Sequence, residues 1–277
     1  MLDCLMTGYN VSSIHRHPLP SHAMNAEQVL TDQIWSRIMA TRNDRPLSVP
    51  EPWRTLFAPL LQDRGEKPWL IGQLGQSLDG RIATPTGHSH YINGQLAIRH
   101  LHCIRALVDA VVVGIGTVLT DDPQLTVRHV KGPNPARVVI DSKGRLPTQA
   151  KMLRDDGCRR VIVTDCDNDV AAVTGVEILR IPRGPNGQLD PLAITHGLSA
   201  LGFRRVLVEG GMATLSAFLA RGCLDRLHVA IAPIILGSGP VGMSLPPIER
   251  VDQGIRPATS VYRLGQDLLI DCDLSAS

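Results

Sequence analysis

The chain has 277 residues, 43% of them hydrophobic and 19% charged, the balance of a soluble globular protein built as one large domain or a domain with an appendage. A net charge of +2, scattered basic residues and an aromatic content of 3% leave no footprint for nucleic acid. No apolar run approaches the roughly 20 residues that span a bilayer, and no basic-then-apolar leader opens the sequence, so no membrane association is expected. The six cysteines form no C-x-x-C and no Cys/His cluster with ligand spacing, which points to reduced thiols, a cytoplasmic setting and no metal.

Residues Met1 to Ser21 carry no periodicity and are read as disordered, with Met24 as a second candidate start. From Ala26 to Met39 the apolar residues Val29, Leu30, Ile34, Ile38 and Met39 fall at helical spacing. Trp53 to Leu61 predicts a second short helix after the prolines Pro46, Pro50 and Pro52. Residues 1–66 carry no recognisable chemistry and are read as an N-terminal extension for docking or oligomerisation, with residues 67–277 forming the main domain.

That domain begins with a strand from Trp69 to Leu74, ending in a glycine-containing turn, and continues through a polar loop at Gly87–Ile92 to a helix from Gln95 to Leu107. Ala110 to Val113 is a short β-branched run, hence a buried strand. Gly114 and Gly116 then permit a sharp turn, Thr117 supplies a hydroxyl, and Asp121-Asp122-Pro123 marks a loop leading to Leu125 and Arg128. Further strands are expected at Arg137–Ile140, Arg159–Thr164, Val176–Ile181, Arg205–Val208 and Leu227–Ile235. Helices are expected at Pro191–Leu201 and Ala213–Arg221, and a closing hairpin at Arg263–Gly265 and Asp267–Cys272. Alternating strands and helices predict an α/β fold, with a mostly parallel central sheet flanked by helices and an antiparallel C-terminal hairpin.

Ligands of such sheets bind beyond the carboxyl ends of the strands. Gly75-Gln76-Ser77, Gly114-Ile115-Gly116-Thr117, Asp141-Ser142 and Glu209-Gly210-Gly211 each follow a predicted strand. The last leads into a helix whose free N–H groups suit a pyrophosphate, although no G-x-G-x-x-G and no P-loop lysine is present. Ser142, Lys143 and Arg145 suit an adenosine 2′-phosphate, which favours NADPH over NADH; a solvated turn accounts for the same residues. Arg128 can grip an anionic oxygen bidentately. His88, His90, His100 and His102 are spaced i, i+2 and are read as surface histidines. No serine stands in a nucleophile elbow. A glycine- and hydroxyl-rich site poor in acid–base groups fits hydride transfer.

Six segments in order, S-L-D-G-R-I-A (Ser77 to Ala83), G-x-S-x-Y-I (Gly87 to Ile92), L-x-x-x-R-A (Leu101 to Ala106), D-A-V-V-V-G-I-G-T-V (Asp109 to Val118), D-D-P-x-L-T-x-R (Asp121 to Arg128) and V-E-G-G-x-x-T-L-S (Val208 to Ser216), resemble the reductase domain of riboflavin biosynthesis. The resemblance covers about Lys67 to Asp273. It implies a dihydrofolate-reductase-like fold, NADPH as cofactor and 5-amino-6-(5-phosphoribosylamino)uracil as substrate, its ribose reduced to a ribityl chain by hydride delivery to C1′ of the open-chain imine. It implies a homodimer as well.

Carried over by position, Ser89, Arg105, Leu125, Arg128 and Glu209 form the substrate side, with Arg105 and Arg128 on the 5-phosphate and Glu209 orienting the sugar or uracil as the catalytic candidate. Gly75, Tyr91, Thr117, Asp121 and Ser142 form the cofactor side, with Gly211, Met212, Ala213, Thr214, Leu215 and Ser216 under the pyrophosphate. No side chain is assigned as proton donor, and water takes that part. Gln73 stands where many members have a lysine, and an amide cannot supply a proton as an ammonium can. Tyr91 replaces a common tryptophan. The H-x-E and P-C-x-x-C pair of the deaminase often fused upstream is missing, which reads as a stand-alone reductase. Two alternatives stand beside this reading: a reductase of another pyrimidine or pterin, and a non-catalytic NADPH-binding protein.

Overall fold

The computed structural model describes residues 30–41, 47–62, 65, 68–167, 173–184 and 187–275. The reading of Met1 to Ser21 falls outside the described residues, as do the first four positions of the helix expected from Ala26 and the boundary between residues 66 and 67.

Nine strands form a single sheet in the order β5-β4-β3-β2-β6-β1-β7-β9-β8. The strands are β1 (Trp69–Ser77), β2 (Ala110–Gly114), β3 (Ala136–Ile140), β4 (Arg160–Asp165), β5 (Glu177–Ile181), β6 (Arg205–Glu209), β7 (Arg226–Ala232), β8 (Ala258–Leu264) and β9 (Asp267–Asp273). From β5 to β7 all neighbours are parallel, and β9 pairs antiparallel with β7 and with β8. The sheet therefore has the mostly parallel body and antiparallel C-terminal edge expected of it.

The centre of the sheet is buried on both faces because its strands are continuous runs of β-branched and aliphatic residues. Alternate side chains enter different layers. Ile71, Val111, Val113, Val139, Ile162 and Leu207 face one cluster. Leu70, Ala110, Val112, Val138, Val161, Val163, Val206 and Val208 face the other. The helices are α1 (Asp32–Ala40), α2 (Trp53–Leu61), α3 (Gln95–Leu107), α4 (Ile115–Asp121), α5 (Pro191–Ala200) and α6 (Met212–Ala220). The first four cover the first face, and α5 and α6 cover the second. Caps set their starts: the Thr31 hydroxyl accepts from the Ile34 N–H at 3.2 Å before α1, and Asp190 followed by Pro191 opens α5.

Three differences from the sequence reading matter for the site. Residues Ile115–Asp121 form a helix rather than a glycine turn and open loop, because Ile115 and Val118 are buried on one side of it. Strand β1 continues to Ser77, so Gly75 lies inside it. The C-terminal hairpin begins at Ala258, five residues earlier than expected, since its alternate residues Tyr262 and Leu264 are buried while Val261 and Arg263 are not. Trp35, Ile38, Trp53, Leu56, Phe57 and Leu60 of α1 and α2 belong to the same buried cluster as Ile104 of α3 and Ile71 of β1.

Candidate active site

The carboxyl ends of β2, β6 and β1 lie side by side at the middle of the sheet, with Gln73 of β1 in register with Glu209 of β6. Above them opens a cleft of about 540 Å3, lined among others by Gln73, Gly75, Ser89, Thr117, Asp121 and Gly210–Thr214. A smaller cavity of about 120 Å3 adjoins it; Gln73 and Gly75 line both, and Asn93 and Glu209 line the smaller.

The turn from β6 into α6 is the tightest part of the wall. Gly210 adopts φ +117°, which a side chain rarely allows, and a Cβ there would stand 2.9 Å from the Thr117 hydroxyl. That hydroxyl accepts the Gly211 N–H at 3.1 Å, which fixes the turn to the first face of α4. Gly211 is the N-cap of α6 and offers no side-chain cap, so the first-turn N–H groups of the helix are free of intrahelical partners and border the cleft. Such a terminus carries about half a positive charge and favours an anion. The fit to a dinucleotide pyrophosphate rests on this arrangement.

On the substrate side, the Arg105 guanidinium of α3 meets the Glu209 carboxylate of β6 as a fork, Nε to Oε1 and Nη2 to Oε2 both at 2.6 Å. Both side chains are more than nine-tenths buried. A further N–H of Arg105 donates to the Thr126 carbonyl at 3.1 Å. Arg105 is thus engaged by Glu209 and the 122–128 loop, where the sequence had assigned it to a phosphate. Its pairing fixes Glu209 as an acceptor with both oxygens oriented.

Arg128 is different. It is exposed, makes no ion pair among the described residues, and touches only the Thr126 hydroxyl at 3.0 Å and the Gln124 amide at 3.4 Å. Desolvation, then the nearby Arg105 charge, lowers its pKa against the opposing pull of Glu209. Its backbone N–H donates to His102 Nδ1 at 3.0 Å. Burial, followed by the charges of Arg105 and Arg128 and by His129, depresses His102 to about 3, so the ring stays neutral and keeps Nδ1 as an acceptor.

Of the residues assigned by resemblance, Gly75, Ser89, Thr117, Asp121, Gly211, Met212, Ala213 and Thr214 line the cleft, and Glu209 lines the adjoining cavity. Leu215 is fully buried in the core, and Ser216 is turned to accept the Ser244 N–H at 2.9 Å, so neither borders the cleft. Tyr91 is 86% exposed at φ +68° and points outward. Ser142 follows β3, beside β2, outside the cleft lining, with its carbonyl held by Arg183 at 2.9 Å. Leu125 is buried at 2% exposure, with φ +57°, so it shapes the loop through its backbone.

Two residues outside the set assigned by resemblance also belong here. Gly210 lines the cleft directly. Asn93 lines the small cavity, pressing its Oδ1 toward the Cα of Gly75 while its amide donates to the Ala230 carbonyl at 3.2 Å. Gln73 is 8% exposed and lines both cavities, and its buried Oε1 has no partner among the described residues. Asp79 of the S-L-D-G-R segment is a brace: it accepts from Ser77, Leu236 and Gly237, bonds that hold its carboxyl at about 2 and tie the 236–240 loop to the rim. The histidines also depart from the surface reading, with His100 and His102 at 3% and 2% exposure; both lie on α3 against other elements. No metal-ligand cluster occurs among the described residues, and no described helix is long and apolar enough to cross a membrane.

The family model described as the RibD C-terminal domain matches residues 68–269. A riboflavin biosynthesis protein RibD of Aquifex aeolicus is 34% identical over 210 residues, 74% of this chain and 57% of that protein. A 2,5-diamino-6-ribosylamino-4(3H)-pyrimidinone 5′-phosphate reductase of Methanothermobacter thermautotrophicus is 34% identical over 212 residues, 74% of this chain and 97% of that protein. Among solved structures, the deaminase/5-amino-6-(5-phosphoribosylamino)uracil reductase of Thermotoga maritima superposes with a TM-score of 0.66 at 28% identity, over 75% of this chain and 57% of that one. The chain therefore spans about half the length of the RibD proteins it matches.

Proposed function

The chain belongs to the RibD C-terminal domain family, and from that premise we propose that it is an NADPH-dependent reductase of riboflavin biosynthesis. Its substrate is 5-amino-6-(5-phosphoribosylamino)uracil, whose ribosyl group it reduces to the ribityl form. The observation that carries the reading is the cleft over β2, β6 and β1, where the unpartnered first turn of α6 borders one wall and the Arg105–Glu209 fork stands beside the adjoining cavity.

In this reading the N–H groups of Met212, Ala213 and Thr214 hold the pyrophosphate, and Thr117 keeps their turn in place. Bound there, the cofactor supplies a hydride. Ser142, Lys143 and Arg145 take the 2′-phosphate; Lys143 and Arg145 are exposed and make no ion pair among the described residues, which supports that role. Arg128 holds the 5-phosphate, with Arg105 adding its field from behind. Glu209, oriented by Arg105, accepts from a sugar hydroxyl or a pyrimidine N–H. Gln73 offers its unpartnered oxygen to the same substrate, so the lysine's place is filled by a neutral acceptor and the proton comes from water. A cytoplasmic homodimer completes the proposal; the five described cysteines are free, in keeping with a reducing compartment.

A second substrate is favoured by one observation. This chain covers 97% of the Methanothermobacter reductase, which is named for the 2,5-diamino-6-ribosylamino-4(3H)-pyrimidinone 5′-phosphate. NADPH oxidation followed by absorbance, with each pyrimidine supplied separately, tests both readings. Turnover of the uracil with at least tenfold higher kcat/KM supports the primary reading, and the reverse preference moves the 2,5-diamino substrate to the front. NADPH binding with turnover of neither overturns both.

A further inference from the structure

We infer that α1, which precedes the family-matched residues, is a positioning element of the substrate site, acting through Trp35 on the loop that carries Arg128. The inference rests on the reading of Arg128 as the phosphate-binding residue.

The indole N–H of Trp35 donates to the Lys131 carbonyl at 2.7 Å, across 96 residues of sequence. Trp35 is 2% exposed, so its N–H has no water to fall back on. One turn further along α1, the Met39 methyl stands 3.6 Å from where a Cβ of Gly132 would lie, and Ala106 of α3 stands 2.6 Å from the same point. Gly132, though exposed, thus lies against Ala106 of α3, where a side chain would clash, and within contact distance of Met39 of α1. The other end of α1 is tied to α3, since Arg99 donates to the Leu30 carbonyl and pairs with Asp32.

The same loop is pinned at three further points. The Val127 N–H donates to Asn134 Oδ1 at 2.8 Å, the Arg128 N–H to His102 Nδ1 at 3.0 Å, and the Thr126 carbonyl accepts from Arg105. Three of these anchors come from residues within or beside the matched domain. The Trp35 anchor comes from outside it, three residues beyond Arg128. An exposed arginine has little of its own to fix its position, so the path of its backbone decides where its guanidinium can reach. Removing the Trp35 N–H takes away the bond that holds the exposed Lys131 segment to α1, and the loop carrying Arg128 is then free to shift.

Trp53 supplies a matched control. It lies in α2, in the same cluster, at 4% exposure, and its indole N–H has no partner among the described residues. Trp35→Phe and Trp53→Phe therefore make the same chemical change with and without loss of a bond to the loop. The expected result is a rise of about tenfold in KM for the phosphorylated pyrimidine in Trp35→Phe, with kcat and the NADPH Kd within about twofold, and no change in Trp53→Phe. Hydrogen exchange at the Val127 and Arg128 amides should quicken about tenfold in Trp35→Phe alone. Unchanged KM in Trp35→Phe, where Arg128→Ala does raise it, overturns the inference, as does an equal rise in the control. If Arg128→Ala leaves KM unchanged, the phosphate reading has failed instead. The exchange measurement then decides the anchor by itself, and unaltered protection in Trp35→Phe overturns it.

Discussion

Two buried arginine–carboxylate forks, Arg105 on Glu209 and Arg226 on Asp271, are built alike and sit in different surroundings. The second has distances of 2.7 and 2.8 Å, close to those of the first. Asp271 of β9 also faces His228 of β7 at 3.2 Å, and the other nitrogen of His228 meets His100 of α3 at 3.0 Å. Phe57 of α2 tilts against His100, closing that end of the chain. Burial alone would raise the Asp271 carboxyl, but the bonds from His228 and Arg226 outweigh it and hold it at about 2. Burial, and then His228, push His100 well below its usual value, with Asp271 opposing. Everything in this cluster faces protein. Glu209, by contrast, lines a cavity shared with the cleft, and Arg128 stands in solvent nearby. The same ion-pair chemistry thus locks the C-terminal hairpin in one place and presents an oriented acceptor in the other. What separates the two roles is whether a cavity reaches the carboxylate.

The largest effects should come from cutting either fork. Glu209→Gln leaves the buried Arg105 guanidinium without its counter-charge, and Asp271→Asn leaves Arg226 only Asp273 at 3.6 Å; each should cost about 3–5 kcal/mol in denaturant unfolding. Turnover measured well below both transitions should separate them: Asp271→Asn keeps kcat/KM within about threefold, whereas Glu209→Gln loses about 100-fold. Equal losses would erase the distinction.

Next in size, Arg128→Ala should raise KM for the phosphorylated substrate about 100-fold, in line with about 2–3 kcal/mol for charge-assisted bonds to a phosphate. Stability should change by less than about 0.5 kcal/mol, because the side chain is exposed. A dephosphorylated analogue should show no difference between wild type and variant.

A pH titration of stability sharpens the comparison through different windows. His100 and His102 are buried neutral with pKa values below the usual 6.5, so the unfolded chain binds protons that the folded chain refuses. Their contribution is complete above pH 6.5 and is lost as pH falls below it, for His102 down to about 3. At pH 5, the His102 share of the loss is about 2 kcal/mol. Asp271, lowered from 3.8, contributes fully above about pH 4 and is lost only below it. Denaturant unfolding should therefore weaken between pH 7 and 5, with no share from Asp271. A flat profile over that range would show that the histidines are not held neutral.

The smallest effect should be at Gln73. Gln73→Leu removes an acceptor that has no protein partner, so stability should rise by up to about 1 kcal/mol while KM for the pyrimidine rises about fivefold. A fall in stability without a change in KM would mean that the oxygen serves the fold and not a ligand.

Much of this was readable from the sequence because it is local. β-Branched runs gave the central strands, and the spacing of Leu101, Ile104 and their neighbours gave α3. Helix α4 was hidden by two glycines and β-branched residues of low helical propensity, and it forms because Ile115 and Val118 are buried. The first turn of α6 borders the cleft, and rotation by about 100° per residue carries Leu215 and Ser216 away from it. The Arg105–Glu209 pair joins residues 104 apart, and no spacing rule reports that the cation of one is neutralised by the carboxylate of the other. The packing of Trp35 and Trp53 into the core was equally out of reach, since an amphipathic helix shows that it has an apolar face and not what covers it.

The central claim is that the cofactor lies on the β6–α6 turn, held in shape by Thr117. Calorimetric titration of NADPH into wild type and Thr117→Val tests it most directly, because valine keeps the volume and removes the acceptor for the Gly211 N–H. Wild type should bind and the variant should bind about tenfold more weakly, with unfolding stability nearly unchanged. Equal affinity in both proteins, or no binding to either, would contradict it.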